Sequence, residues 1–255
     1  MITFIGAIAV PPLPPLVLEH LSVNYRDLRA LRNINLTIHP GHLVGIFGPN
    51  GAGKSTLIKA MLGLIPRVTG RITWGDRDLA DHLDRIAYLP QRSQIDWSFP
   101  ATAWDVVMMG RVKPTGWLRP FSPTSRRLAQ AALERVGMVN LAHRSIGALS
   151  GGQQQRVFLA RALAQEAEIF CFDEPFVGVD QTTAGVLFRV FRELAEAGKI
   201  VLVINHDLGE SITNFDQLIL LNQELIAAGP REWVLSPEHM SRAYGGQVGF
   251  WGHVA

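Results

Sequence analysis

Gly48-Pro49-Asn50-Gly51-Ala52-Gly53-Lys54-Ser55 has the most specific chemistry in this sequence. Two glycines separated by four residues and followed by Lys-Ser form a loop suited to the phosphates of a nucleoside triphosphate. The glycines let backbone N–H groups approach phosphate oxygens that a side chain would hold off. Residues 42–47 read as a buried strand before the loop, and 55–62 as the helix after it. A helix N-terminus favours anions. In that setting Lys54 is expected to bridge the β- and γ-phosphates, and the hydroxyl of Ser55, followed by Thr56, to ligate magnesium. A glycine-rich strand-to-helix turn with no ligand is the rival reading, and the placement of Lys-Ser weighs against it.

A second constellation lies more than a hundred residues on. Ile169-Phe170-Cys171-Phe172-Asp173-Glu174 is an apolar strand ending in two carboxylates. Ligands of open α/β sheets collect at the carboxyl ends of strands, which would bring this pair close to the phosphate loop. Asp173 is then placed to hold magnesium, and Glu174 to orient and deprotonate an attacking water. A simple helix cap is the alternative. Leu149-Ser150-Gly151-Gly152-Gln153-Gln154-Gln155-Arg156 is a third signal: Ser150 and two glycines open a helix reaching about Ala164. Small residues at a helix start make an anion-binding surface. Because the phosphate loop already encloses the phosphates from one side, this second surface is best used on a nucleotide held by another copy of the chain.

The elements that must position these residues follow the same alternation. Residues 16–38 read as two strands with a turn near Arg26-Asp27, 71–74 and 86–89 as further strands. From Gln91 to about Gly147 the texture changes to helices (103–109, 125–136) separated by Pro100, Pro114, Pro120 and Pro123. Strand and helix then alternate: strand 168–172, helix 182–197, strand 200–204, helix 208–213, strand 217–221. This predicts a largely parallel sheet covered by helices.

Composition bounds the possibilities. A chain of 255 residues, 47% hydrophobic and 18% charged, suits one large globular domain with a sizeable core. A net charge of +2 gives no electrostatic footprint for nucleic acid. One cysteine, Cys171, excludes an internal disulfide framework and reads as a core residue in preference to a reactive thiol. No apolar run approaches the ~18 residues that span a bilayer. Residues 1–10 are apolar but short, lack a basic flank and run into Pro11-Pro12-Leu13-Pro14-Pro15, so 1–15 reads as a loosely ordered extension instead of a secretory signal. The eight histidines show no ligand-like cluster.

The phosphate loop, Leu149-Ser150-Gly151-Gly152-Gln153 and the Asp173-Glu174 strand, in this order, resemble the ATP-binding subunit of an ABC transporter. The resemblance implies a P-loop NTPase fold of ABC type: a RecA-like mixed-sheet α/β core, an antiparallel β subdomain, and an α-helical subdomain inserted at about 92–165, within a domain of 16–246 followed by a tail, 247–255. It implies ATP and Mg2+ as ligands. Tyr25 resembles the aromatic that stacks on adenine, with a plain strand tyrosine as the rival. Gln91 resembles the glutamine that contacts magnesium and the attacking water. Asp180 resembles the aspartate that communicates across the dimer, and His206 the switch histidine on the γ-phosphate. Asn205 stands where Thr, Ser or His is more usual, which puts the local hydrogen bonding in doubt.

Head-to-tail pairing would then sandwich each ATP between one copy's phosphate loop and residues 150–153 of the other. Partners would be a second copy, polytopic membrane permease subunits and, indirectly, a metal-binding capture protein, with no nucleic acid, at the cytoplasmic face of the membrane. Asp96-Trp97-Ser98-Phe99-Pro100, residues 175–180, 220–230 and Ala243-Tyr244-Gly245-Gly246 are similar to the ATPases of manganese, zinc and iron importers. Residues 96–118 lie where that family docks the membrane subunit, although its aromatics suit a core equally. Non-transport ATPases of the superfamily remain the alternative: a DNA-associated one needs a long coiled-coil insertion and a translation factor two cassettes, neither present here, whereas an iron–sulfur assembly ATPase shares the motifs.

Overall fold

The computed structural model describes residues 12–25, 28–65, 68–116 and 119–245. Its strands are β1 (Leu16–Tyr25), β2 (Leu28–Ile38), β3 (Leu43–Phe47), β4 (Val68–Trp74), β5 (Arg77–Asp78), β6 (Ile86–Leu89), β7 (Ile169–Asp173), β8 (Ile200–Ile204), β9 (Gln217–Asn222) and β10 (Glu224–Pro230). Its helices are α1 (Lys54–Met61), α2 (Ala103–Met109), α3 (Val112–Thr115), α4 (Pro123–Arg135), α5 (Gly151–Ala164), α6 (Gln181–Glu196), α7 (Arg231–Val234) and α8 (Pro237–Tyr244).

Two sheets result. One is antiparallel, in the order β2-β1-β4-β5; the other runs β10-β9-β3-β8-β7-β6, parallel except for β10. The strands β3, β8 and, up to Phe172, β7 carry no polar side chain because both faces are covered, and successive side chains enter different cores. Leu43, Phe47, Phe170, Phe172, Val201 and Val203 pack with the helical segment and α6. Val44, Ile46, Ile169, Cys171, Leu202 and Ile204 pack with α1 and the antiparallel sheet. Cys171 is therefore a core residue, and burial pushes its thiol up to about 12, where it is inert.

The helical segment is built from local signals. Thr102 and Asp105 form a reciprocal capping box at the start of α2, and Ser122 caps α4 with Pro123 in its first turn. Arg111 reaches the C-terminal end of α5, donating to the carbonyl of Ala164 at 2.7 Å while paired with Glu166 at 2.8 Å. A cation there satisfies a carbonyl that the helix itself leaves free.

Several expectations are revised. The expected loosely ordered extension, 1–15, ends earlier, since the Pro14 carbonyl accepts from Trp74 Nε1 at 3.0 Å and the Pro15 carbonyl from the Gly75 N–H at 3.3 Å. Residues 12–15 thus run along the antiparallel sheet, while 1–11 and 246–255 lie outside the described residues. The helix expected at 208–213 is only a 3₁₀ turn, Glu210–Asn214. The elements β10, α7 and α8 were not anticipated.

Phe172 and Phe191 stack with centroids 4.2 Å apart, joining β7 to α6 directly behind the carboxylate pair. Phe191 is fully buried. Phe191→Ala is expected to cost about 3–5 kcal/mol, read by denaturant unfolding.

Candidate functional site

The loop from β3 to α1 can be built only with glycine at two places. A Cβ on Gly48 (φ 147°) would lie 2.1 Å from the Leu221 carbonyl oxygen, and one on Gly53 (φ 94°) would meet Leu31 Cδ2 at 2.5 Å and the Ala30 carbonyl oxygen at 2.7 Å. The loop is thus pressed between β2 and the end of β9. Gly53 caps α1 without a side-chain bond, so the first-turn N–H groups are left for a ligand. Lys54 enters that turn and donates from Nζ to the carbonyls of Gly48, at 2.7 Å, and Pro49, at 3.0 Å. Burial lowers its pKa, opposed by the charges of Glu174 and Asp173.

The carboxylate pair does arrive here. Asp173, at the end of β7 and 1% exposed, accepts from Ser55 Oγ at 3.0 Å and from the Tyr88 hydroxyl at 3.4 Å. Burial raises its pKa above the ordinary carboxylate range; Ser55 pulls it down, Glu174 pushes it up, and Lys59 and Tyr88 pull it down. Tyr88 is itself raised, first by burial and then by the Asp173 charge.

Glu174 follows in the left-handed region, φ 52°, with its N–H donating to the Ile204 carbonyl at 3.2 Å. For a residue with a Cβ such a backbone costs on the order of 1 kcal/mol, a strain that clusters at functional sites. Its Oε2 accepts from Gln91 Nε2 at 2.6 Å, and Gln91 Oε1 accepts from Ser93 Oγ at 3.2 Å.

A cleft of about 320 Å³ is lined by Asn50, Gly51, Ala52, Gly53, Lys54, Ser55 and Thr56, with Glu174 on one side and Arg29, Ala30 and Gln223 on the other. Arg29 and Gln223 were not expected. Gln223 sits at the β9–β10 turn (φ 59°), its N–H donating to the Ala52 carbonyl at 2.8 Å. An Asn-Gln pair between two apolar runs was the available signal. Beneath the loop the half-buried Tyr244 hydroxyl shares a hydrogen bond with the Gly48 backbone, and Asn222 Nδ2 donates to the Ala243 carbonyl at 3.1 Å.

Other expected residues lie elsewhere. Ser150 and Gln153 form a capping box on α5, with Ser150 Oγ accepting from the Gln153 N–H at 3.3 Å and Gln153 Oε1 from the Ser150 N–H at 2.9 Å. They do not line the phosphate cleft of their own chain. Gly152 also serves packing: a Cβ there would lie 2.6 Å from Thr183 Oγ1 on α6. Asp180 is exposed and caps α6, accepting from the Thr183 N–H at 2.7 Å, which lowers its pKa. His206 is exposed and lines a separate hollow with Phe176 and Asn205. Asn205 is buried and satisfied, donating to Ser211 Oγ and accepting from the Asp207 N–H, each at 3.2 Å. The Tyr25 side chain lies outside the described residues.

The sequence profile of the ABC transporter family matches residues 31–177. The chain belongs to the ABC transporter family. It is 48% identical over 236 residues to the manganese transport system ATP-binding protein MntB of Bacillus subtilis, covering 92% of this chain and 94% of that protein. It is 43% identical over 230 residues to the zinc transport system ATP-binding protein TroB of Treponema pallidum, covering 90% and 86%. Among solved structures, an ATP-binding cassette of an ABC transporter in its ADP conformation superposes with a TM-score of 0.79 at 27% identity, over 93% of this chain and 100% of that one. This ABC ATPase thus has the family's fold, binds nucleotide, and couples ATP hydrolysis to transport.

A carboxyl whose folded pKa exceeds its unfolded value holds its proton more tightly when folded. Its contribution to stability falls as pH rises from the ordinary carboxylate value to the raised one. Asp173→Asn is therefore expected to be more stable than wild type by about 1 kcal/mol near pH 7, without nucleotide or divalent ions. The gain should shrink toward about pH 4, as read by thermal unfolding across pH.

Proposed function

We propose that this ABC ATPase powers import of a divalent transition metal, manganese, through a membrane permease. The observation that carries the cargo is the 48% identity to MntB along nearly the full length of both chains. Among the described residues no helix is long and apolar enough to cross a membrane, so translocation needs other subunits. Of residues 96–118, the described part, 96–116, offers them a surface. Phe99 and Met109 are 54% and 44% exposed, and Met109 borders a hollow of about 790 Å³ with Val112, Lys113 and Gln165.

The roles at the site follow from its donors. Lys54 and the N–H groups of the 48–53 loop bind the β- and γ-phosphates. Ser55, Asp173 and Gln91 supply hard oxygen atoms beside them, a set that suits Mg2+. These three residues would hold the ion together with substrate phosphates, the usual way in which Mg2+ is bound at such sites. Once bound, the ion neutralises charge developing on the transferred phosphoryl group. Glu174 takes the proton of the water that attacks the γ-phosphorus as the bond to ADP breaks, and Gln91 holds the Glu174 carboxylate for that task. His206, at the end of β8, contacts the γ-phosphate once ATP is bound.

Residues 150–153 lie outside their own chain's phosphate cleft yet present a capped, glycine-rich helix start, which supports use on a nucleotide held by a second copy. A dimeric ATP-binding cassette with ADP and phosphate, 27% identical with a TM-score of 0.73, covers 84% of this chain and 98% of that one. In this reading Asp180 lies beside the second copy, ATP closes the pair, and hydrolysis reopens it.

Glu174→Gln should bind ATP but not turn it over, and should elute as a dimer with ATP and magnesium; a strictly monomeric profile on gel filtration would contradict the shared site. In cells lacking this chain, uptake of radioactive manganese should fall by about 10-fold or more, restored by wild type and not by Lys54→Ala. Zinc uptake failing in place of manganese would reassign the cargo.

A further inference from the structure

Arg92 follows Gln91 directly and has no part in the nucleotide site described above. Its guanidinium nevertheless lies where three segments of that site converge. Nη2 donates to Gln154 Oε1 at 3.0 Å, and Gln154, buried in the first turns of α5, passes the contact on by donating from Nε2 to the Ile146 carbonyl at 3.1 Å. A Cβ placed on Gly151 would stand 3.0 Å from Arg92 Nη1, so the guanidinium lies against the start of α5. A Cβ on Gly178 would stand 3.6 Å from the same nitrogen, which puts it beside the turn that leaves Glu174.

The Trp97 ring fixes the group from the remaining side. Its centroid is 5.5 Å from the guanidinium carbon, its Nε1 donates to the Arg92 carbonyl at 3.2 Å, and its ring packs edge-on against Phe158 of α5 at 5.2 Å. Arg92 Nε is buried without a hydrogen-bond partner. A buried donor without a partner is costly, so the side chain is held here by its other contacts despite that cost.

These contacts bear on catalysis because both ends of the 2.6 Å Gln91–Glu174 hydrogen bond belong to segments that Arg92 braces. Gln91 is its chain neighbour, and Glu174 begins the turn that reaches Gly178. The third segment is the start of α5. We propose that Arg92 is a positioning residue for ATP hydrolysis, a single planar cation that locks the Gln91–Glu174 pair to the 150–153 helix start. This rests on the ATPase reading of the site and adds to it how two parts of the reaction centre are held in register. A lysine cannot replace it, since a point charge lacks the planar group that donates from Nη2 to Gln154 while setting Nη1 against Gly151 and its carbon 5.5 Å from the Trp97 ring centroid.

The phosphate loop is held independently by Gln223, Ala30 and Tyr244, none of which Arg92 touches. Loss of Arg92 should therefore slow turnover without weakening nucleotide binding. The test is steady-state ATP hydrolysis and fluorescent-ATP binding by the purified full chain with magnesium, for wild type, Arg92→Met, Arg92→Lys and Arg126→Met, with melting curves for each. Arg126 is an exposed residue of α4 and serves as the control. Both Arg92 variants should lose about 10-fold or more in kcat, the scale of effect expected when reacting groups are displaced by a fraction of an ångström. Their Kd for ATP should stay within about twofold of wild type, and R126M should match wild type.

Folded Arg92 variants with wild-type kcat would overturn the inference. So would a loss of kcat accompanied by an equal loss of ATP affinity and a lowered melting temperature, since that is the mark of a merely structural residue. If R92M does not fold, R92K decides alone. A wild-type chain that hydrolyses no ATP would overturn the assigned reaction and this inference together, whereas active wild type beside equally active R92M overturns the inference only.

Discussion

The hydrogen bond between Ser55 and Asp173 joins two segments 118 residues apart and is the contact on which the rest of the site depends. It exists because β3 and β7 run parallel with only β8 between them, so their carboxyl ends open onto the same edge. A strand order that separated β3 from β7 would leave the phosphate loop without a carboxylate. The cost is a charge in a poorly hydrated place, visible in the opposed pKa shifts of Lys54 and Asp173. The surrounding groups are those that offset this cost: Tyr88 on Asp173, Lys59 nearby, and Gln91 on Glu174.

Much of this was legible in the residues. Glycines at 48 and 53 demanded a loop no side chain could enter, and the structure supplies the reason in the Leu221 and Ala30 carbonyls. The apolar runs at 43–47, 169–172 and 200–204 had to be central strands, because chains buried on both faces show no alternation of polarity. Ser150 and the two glycines after it read as a helix start, and the structure adds a capping box between Ser150 and Gln153.

What escaped detection was long-range. Arg29 and Gln223 enter the cleft from strand ends; the Asn222-Gln223 pair marks a turn but not its place beside the phosphate loop, and nothing around Arg29 distinguishes it from an ordinary surface residue. In place of the helix expected at 208–213 stands the turn Glu210–Asn214, because Leu208 and Ile212 anchor to the main core without a continuing helix between them. The pair Gly151-Gly152 is informative in another way. One glycine admits Arg92 and the other Thr183, so the motif is as much a packing requirement inside the chain as an anion surface outside it.

Tyr244 reaches back to the Gly48 backbone of the phosphate loop from the last described helix, and the Ala243 carbonyl beside it accepts from Asn222 at the end of β9. A polypeptide made from its N-terminus completes β3, the loop and α1 early, but the support beneath Gly48 arrives only when residue 244 has emerged from the ribosome. Full bracing of the cradle around Lys54 is thereby deferred until residue 244 is made, long after the loop and its Ala30 neighbour.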